Sequence, residues 1–476
     1  MEFFMLLIWA LFSLIFRSKS KAALLVSLFL VWFFFYGNFF NIGRGQNWGE
    51  FFMWRHKYIF AIWNLAFGIM AFSITKRHST MDNLTNIINV FSALLVIFCF
   101  IEIAVCKLKT GSQEKLFSDQ VKEAEAIKTH KITFDKPPTL PDIYYIILDG
   151  YMSYNTLRKY YDFDNGIFYN YLTKKGFYIA HNSRSNYSQT KYSFPSSLNM
   201  EYLQNLFDKQ ENFEALPVYH ELTKNNKVES VLRKKGYKYI CIGFGNKYAD
   251  LSLFYNKNNK EGENDNFPRY FFTNLFVKYL LSMTFLSYIT DLTDAGFDSG
   301  HRESILYCFE KLAEINKIEG PKFIFAHILS PHPPYAFGPN GQKNTLIQFI
   351  KMGARQLYVR QLSYINEKVE EVIDAILSQS NIPPIIILQA DHGLRIAPPS
   401  DSIFDPQNLE EMFGIFNAYY LPDNRYDILY DYITPVNTFK VILNHYFGTD
   451  YELLKDKSYL YFENEFIDVT HKIKND

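Results

Sequence analysis

The chain has 476 residues, with 49 basic and 49 acidic side chains, so its formal net charge at pH 7 is zero. That balance argues against a nucleic-acid binder, which carries a basic excess on its binding domain. Aromatic side chains make up 18% of the sequence, which excludes disorder for most of it.

Nearly all the long apolar runs lie before residue 107. In chain order they are Phe3–Phe16, Ala22–Phe40, Tyr58–Ile74 and Leu84–Val105. The last three are long enough for a hydrocarbon core of ~30 Å, which takes about 20 helical residues. The first is short, and its basic residues Arg17, Lys19 and Lys21 follow the apolar run, the reverse of a cleavable signal peptide. Residues 1–106 therefore read as a transmembrane anchor of about four helices. Arg17, Lys19, Lys21, Lys76 and Arg77 outnumber Arg44, Arg55 and Lys57. By the positive-inside rule the loops after segments one and three face inward, and everything after Lys107 is delivered outside. A cytoplasmic C-terminal domain is the alternative.

Residues 107–140 read as a linker. Ser112–Lys128 is polar and charged with helical character, and Lys136-Pro137-Pro138-Thr139-Leu140-Pro141 breaks any helix and stiffens the entry to the next domain.

Residues 141–476 alternate strand-like and helix-like runs. Strands are expected at Ile143–Leu148, Phe177–Ala180, Tyr237–Gly243, Phe323–Leu329, Ile385–Leu388 and Asn417–Leu421. Several are continuously apolar, the mark of strands buried on both faces of a parallel sheet. Helices such as Ile305–Ile318 and Arg355–Ser378 separate them, which gives an α/β doubly wound pattern. Asn256–Asn266 reads as an exposed polar loop. Phe271–Thr290 is apolar and aromatic but holds Asn274 and Lys278. It reads as an amphipathic helix on the membrane surface, with a buried core helix and a fifth span as alternatives. The cysteines Cys99, Cys106, Cys241 and Cys308 form neither a disulfide framework nor a zinc-finger spacing, and Cys241–Cys308 is the pairing to test. The tail from Asp456 shows no motif.

The polar residues at strand ends carry the chemistry. Tyr144-Tyr145-Ile146-Ile147-Leu148 runs into Asp149-Gly150, and Ile385-Ile386-Ile387-Leu388 runs into Gln389-Ala390-Asp391-His392-Gly393. Ligands of open α/β sheets bind outside the carboxyl ends of strands, so Asp149, Asp391 and His392 can converge at one edge. Two carboxylates and an imidazole suit zinc or manganese. Taken singly, Asp-Gly is also a turn and Asp-His-Gly also a cap; the pair, in the first and a late strand, is the signal. A third element, Asn186-Tyr187-Ser188-Gln189-Thr190, opens a helix near Thr190. A hydroxyl there meets the positive end of the helix dipole, and a neighbouring metal would activate it. Ser188 or Thr190 as a plain N-cap is the other reading.

With His327-Ile328-Leu329-Ser330-Pro331-His332-Pro333-Pro334-Tyr335, these stretches resemble the alkaline phosphatase superfamily. Within it they are similar to membrane-anchored sulfatase-like transferases, such as lipoteichoic acid synthases and lipid A phosphoethanolamine transferases. The resemblance covers roughly residues 141–450, and the motif order matches. It implies an N-terminal α-helical transmembrane bundle and an α/β alkaline-phosphatase-like (sulfatase-like) domain with a largely parallel central sheet. It implies that Thr190 becomes a phospho-threonine, and that Asp149, Asp391, His392 and Thr190 hold one divalent metal ion, zinc or manganese. His332 would protonate the leaving group or hold a phosphate oxygen. His327, Arg184, Asn186 and Arg395 are candidates for the substrate, with a core histidine and surface arginines as the plainer readings. The expected reaction moves phosphoglycerol or phosphoethanolamine from a membrane phospholipid to an envelope glycan or lipid, at the inner membrane with the catalytic domain outside. A phosphodiesterase or phosphatase, and a non-catalytic envelope protein, are the rivals.

Three features depart from the relatives. Asp149 stands where such transferases carry Glu. No Asp-x-x-x-His follows the nucleophile, which favours one metal over two. No Cys-x-Pro-x-Arg occurs, which excludes the formylglycine of true sulfatases.

Overall fold

The computed structural model describes residues 2–45, 56–76, 140–206, 216–244, 249–256, 259–262, 299–344, 348, 351–394 and 403–473. Two compact units divide at Lys136 and Pro137. The N-terminal unit contains the helices Glu2–Phe16, Lys19–Gly45 and His56–Lys76. Two of them, over Lys19–Tyr36 and Ile59–Lys76, are long and apolar enough to cross a membrane. They meet through aromatic side chains: Trp63 Nε1 donates to the Trp32 carbonyl at 2.9 Å, and Tyr36 packs edge-on against Phe60. The expected span Leu84–Val105, nearly all of the linker and the stretch Phe271–Thr290 lie outside the described residues.

The second unit is built on an eight-stranded sheet. In chain order the strands are β1 (Ile143–Leu148), β2 (Tyr178–Ile179), β3 (Lys238–Ile242), β4 (Leu251–Asn256), β5 (Asn259–Gly262), β6 (Lys322–Ile328), β7 (Ile385–Gln389) and β8 (Asn417–Tyr420). Their order across the sheet is β2-β8-β7-β1-β6-β3-β4-β5. The five central strands β7, β1, β6, β3 and β4 run parallel, while β8 and β5 pair antiparallel to their neighbours. All six strands expected from the apolar runs are present. The loop expected at Asn256–Asn266 is corrected in part: Asn259–Gly262 is strand β5, paired with β4. A hairpin, β9 (Tyr459–Phe462) and β10 (Glu465–Asp468), occupies the tail.

Alternation along β1 explains the layering. Tyr144, Ile146 and Leu148 join a core built with the helices Ser299–Glu314 and Ala354–Gln379. Ile143, Tyr145 and Ile147 join the opposite core with Phe194 and Leu198 of helix Thr190–Asn199 and Phe439 and Ile442 of helix Pro435–Phe447. Both faces are therefore covered, and polar groups are pushed to the strand ends. Cys241 and Cys308 are buried free thiols, so the pairing considered between them does not form.

Candidate active site

The carboxyl ends of β1, β6 and β7 bring the cluster together. Leu148 ends β1 fully buried, and Asp149 follows it; its backbone N–H donates to the Ile328 carbonyl of β6 at 3.0 Å. Asp391 and His392 follow β7, two and three residues past Gln389. Gly393 lets this loop pack close: a Cβ there would lie 2.1 Å from the Glu411 carbonyl oxygen. Thr190 is the first residue of helix Thr190–Asn199, and its Oγ1 lies 3.0 Å from His392 Nε2.

Asp149, Asp391 and His392 each offer one ligand atom, all within 4.8 Å of one another. His392 Nε2 is 3.6 Å from Asp149 Oδ1 and 3.4 Å from Asp391 Oδ2. Its Nδ1 lies 2.6 Å from the Gly393 carbonyl. That bond fixes Nδ1 as a donor and leaves Nε2 facing the cluster. Asp149 Oδ1 and Asp391 Oδ2 are buried and have no hydrogen-bond partner among the described residues. Two such oxygens side by side are costly, and a divalent cation would satisfy both. The donor set fits zinc or manganese.

The electrostatics agree. Burial works against the Asp149 charge, but the His327 hydrogen bond and the nearby histidines hold its carboxyl well below the usual carboxylate range. Burial and the Asp149 charge push Asp391 up. Burial disfavours the His392 cation, yet Asp391 and Asp149 together raise its pKa. The two carboxylates thus favour positive charge beside them, as a divalent metal would supply.

The Sulfatase family model matches residues 170–442, more than half the sequence. The chain belongs to the sulfatase family. Its α/β domain accordingly has the alkaline-phosphatase-superfamily architecture expected from the motifs. The sulfatase match includes Thr190, His332, Asp391 and His392, while Asp149 on β1 precedes it. Among solved structures, the zinc complex of the C-terminal periplasmic domain of EcEptC from Escherichia coli is similar at 13% identity. That likeness covers 71% of this chain and 94% of the other, with a TM-score of 0.44. Lipooligosaccharide phosphoethanolamine transferase A from Neisseria meningitidis, an integral membrane protein, is 11% identical. It covers 86% of this chain and 79% of its own, with a TM-score of 0.40. Likenesses this loose assign no function. No curated protein matches the sequence.

The remaining candidates of this sulfatase-family chain fall in different places. His332 stands half-buried at the rim, its ring centroid 6.1 Å from that of His392. Its Nδ1 is tied to the Pro333 carbonyl at 2.7 Å, and its backbone N–H donates to the Asp149 carbonyl at 2.9 Å. His327 is buried behind the cluster: Nε2 meets Asp149 Oδ2 at 3.2 Å, and the ring packs edge-on against Phe194 at 4.7 Å. In the structure it is a partner for the Asp149 carboxylate. Asn186 is held by backbone groups. Its Oδ1 accepts from the Val436 N–H and its Nδ2 donates to the Lys457 carbonyl, both at 2.8 Å, so both ends of the amide brace the fold. Arg184 lines a cleft of about 40 Å³ with Ser153, Thr156, His181, Asn182 and Glu410, and donates to the Thr470 carbonyl at 3.4 Å; no cluster residue lines that cleft. Arg395 lies outside the described residues. Sequence reasoning missed Tyr358 and Gln361, polar residues set in the apolar stripe of helix Ala354–Gln379. A polar residue at a core position of the helical period was the available signal.

Proposed function

We propose that the protein transfers a phospho-alcohol group, phosphoglycerol or phosphoethanolamine, from a membrane phospholipid to an envelope glycan or lipid. The observation that carries this reading is Thr190 Oγ1 at 3.0 Å from His392 Nε2, beside two buried carboxylates. A hydroxyl so placed is a nucleophile in waiting. Gln189 gives the helix no side-chain cap, which leaves first-turn N–H groups for a phosphoryl oxygen. A threonine nucleophile without Cys-x-Pro-x-Arg fits phosphodiesters rather than sulfate esters.

A divalent ion held by Asp149, Asp391, His392 and Thr190 would lower the hydroxyl's pKa and offset phosphoryl charge. Thr190 Oγ1 forms the new P–O bond as its proton leaves to solvent base. The P–O bond to the diacylglycerol oxygen breaks, and His332 Nε2 gives that oxygen a proton. In the second half the acceptor hydroxyl yields its proton to His332 as its oxygen attacks phosphorus, the P–Oγ1 bond breaks, and Thr190 Oγ1 takes back a proton from solvent. The apolar helices Lys19–Tyr36 and Ile59–Lys76 support a membrane anchor, and we place the catalytic domain on the outer side of the inner membrane. No ATP is supplied there, so a preformed phosphodiester donor suits the location.

The test is turnover of labelled phospholipid with and without glycan acceptor. Label moving onto the acceptor is the expected result. Release of free phospho-alcohol alone, with acceptor present, would make the protein a hydrolase instead.

A further inference from the structure

One helix reaches both loops of the site. In Ala354–Gln379 the buried stripe contains Leu357, Leu362, Ile365 and Val369, but also Tyr358, Gln361 and Asn366. Tyr358 and Gln361 are 0% exposed. They stand three residues apart and so share a face.

Tyr358 serves the loop after β1. Its hydroxyl donates to the Gly150 carbonyl at 2.9 Å and accepts from the Met152 N–H at 3.1 Å. Asn366 Oδ1 accepts from the Tyr151 hydroxyl at 2.6 Å. Gln361 serves the loop after β6. Its Nε2 donates to the Pro331 carbonyl at 3.0 Å and the His332 carbonyl at 3.3 Å, and its Oε1 accepts from the Phe337 N–H at 3.2 Å. Both donor hydrogens and the acceptor of the amide are engaged, all on backbone. The two loops meet where the His332 N–H donates to the Asp149 carbonyl.

This arrangement constrains the imidazole. His332 Nδ1 is tied to the Pro333 carbonyl, so the ring follows the backbone at 331–333. Gln361 holds that backbone. We propose that Gln361 is a positioning residue for His332, setting where His332 Nε2 stands over the carboxylate–histidine cluster and hence the proton transfer to the leaving oxygen. The inference rests on the role of His332 given above. In that step the P–O bond to the leaving oxygen breaks, the Nε2–H bond breaks, a new O–H bond forms, and the imidazolium becomes neutral imidazole. A purely structural Gln361 would affect every substrate alike.

The full-length protein, metal-loaded, is assayed on two phosphodiesters. One releases p-nitrophenolate, which needs no proton; the other releases a simple alkoxide, which does. The readout is the ratio of alkyl to p-nitrophenyl kcat/KM, which reports the first half of the reaction alone. A general acid contributes on the order of a hundredfold or more to a poor leaving group. His332→Ala is expected to lower the ratio by at least about tenfold, and Gln361→Leu to lower it likewise with KM within about twofold. A shifted ratio in His332→Ala beside an unshifted one in Gln361→Leu overturns the inference and leaves the reaction intact. An unshifted ratio in His332→Ala, or no turnover by the native protein, removes the role of His332 and the inference with it. Should Gln361→Leu not fold, Gln361→Glu keeps the Phe337 acceptor but cannot donate, and the same ratio decides.

Discussion

Thr190 Oγ1 and His392 Nε2 lie 3.0 Å apart, although 202 residues separate them in sequence. The contact joins the start of a helix to the end of β7, at the edge where Asp149 also emerges. If Thr190 is the nucleophile, Thr190→Ala abolishes turnover by about a thousandfold or more, whereas Thr190→Ser, which keeps a hydroxyl, loses far less. Steady-state assay on a phosphodiester measures both. Equal loss in the two variants would contradict the role.

Metal removal has a signed consequence for stability. Saturating zinc or manganese at a hundred times its Kd should stabilise the native state by about 2.7 kcal/mol. At an unfolding entropy of about 2.1 cal/mol/K per residue over residues 141–476, that is a rise in Tm of about 4 °C. Thermal melts of chelated and metal-loaded protein test it. No rise with either metal would argue against the site.

Asp391 should behave differently with and without metal. Its carboxyl pKa is raised by burial and by Asp149, so its charge is a cost in the metal-free fold. A raised acid pKa means that this cost is fully present above the folded pKa and is relieved as pH falls through it. Asp391→Asn should therefore leave the chelated protein at pH 7 at least as stable as native, and forfeit the stabilisation by metal. Melts of chelated Asp391→Asn well below native would be the contrary result.

His327 touches Asp149 Oδ2 but not the group facing the metal site. Orienting partners of metal ligands are worth about 10–100-fold in affinity. His327→Ala should weaken metal binding by that range, read by competition titration with a chelating dye. Undiminished affinity would reduce His327 to a packing residue against Phe194.

Asn186 makes the opposite case. Replacing it with Ala strands the Val436 N–H and the Lys457 carbonyl, which should cost about 1–3 kcal/mol in denaturant melts. KM for the donor should stay unchanged. A selective rise in KM at native stability would restore it as a substrate contact.

Much of this site was legible because apolar strands stop abruptly at charged residues. Asp149 and Asp391 each end such a run, and Thr190 stands where the pattern turns helical. What escaped has physical reasons. Asn259–Gly262 carries no apolar alternation, so β5 read as a loop; it exists because β4 offers it an edge. His327 occupies a core-facing position of β6 opposite Ile147 of β1, and only the folded arrangement shows that its ring reaches Asp149, two residues past Ile147 along the chain. Asn186 sits in a motif-like stretch, but tertiary bonds to Val436 and Lys457 set its task. Gln361 and Tyr358 are spaced like any core residues of a helix, and nothing local says that their partners are loop carbonyls.

The most direct test is the intact mass of the protein after incubation with membrane phospholipid and a divalent metal, run beside Thr190→Ala. The account predicts an adduct the size of a phospho-alcohol group on the native chain and none on the variant, with the added mass naming the head group. Lipid consumed without any adduct, or an adduct that persists in Thr190→Ala, would contradict a phospho-threonine intermediate at this site.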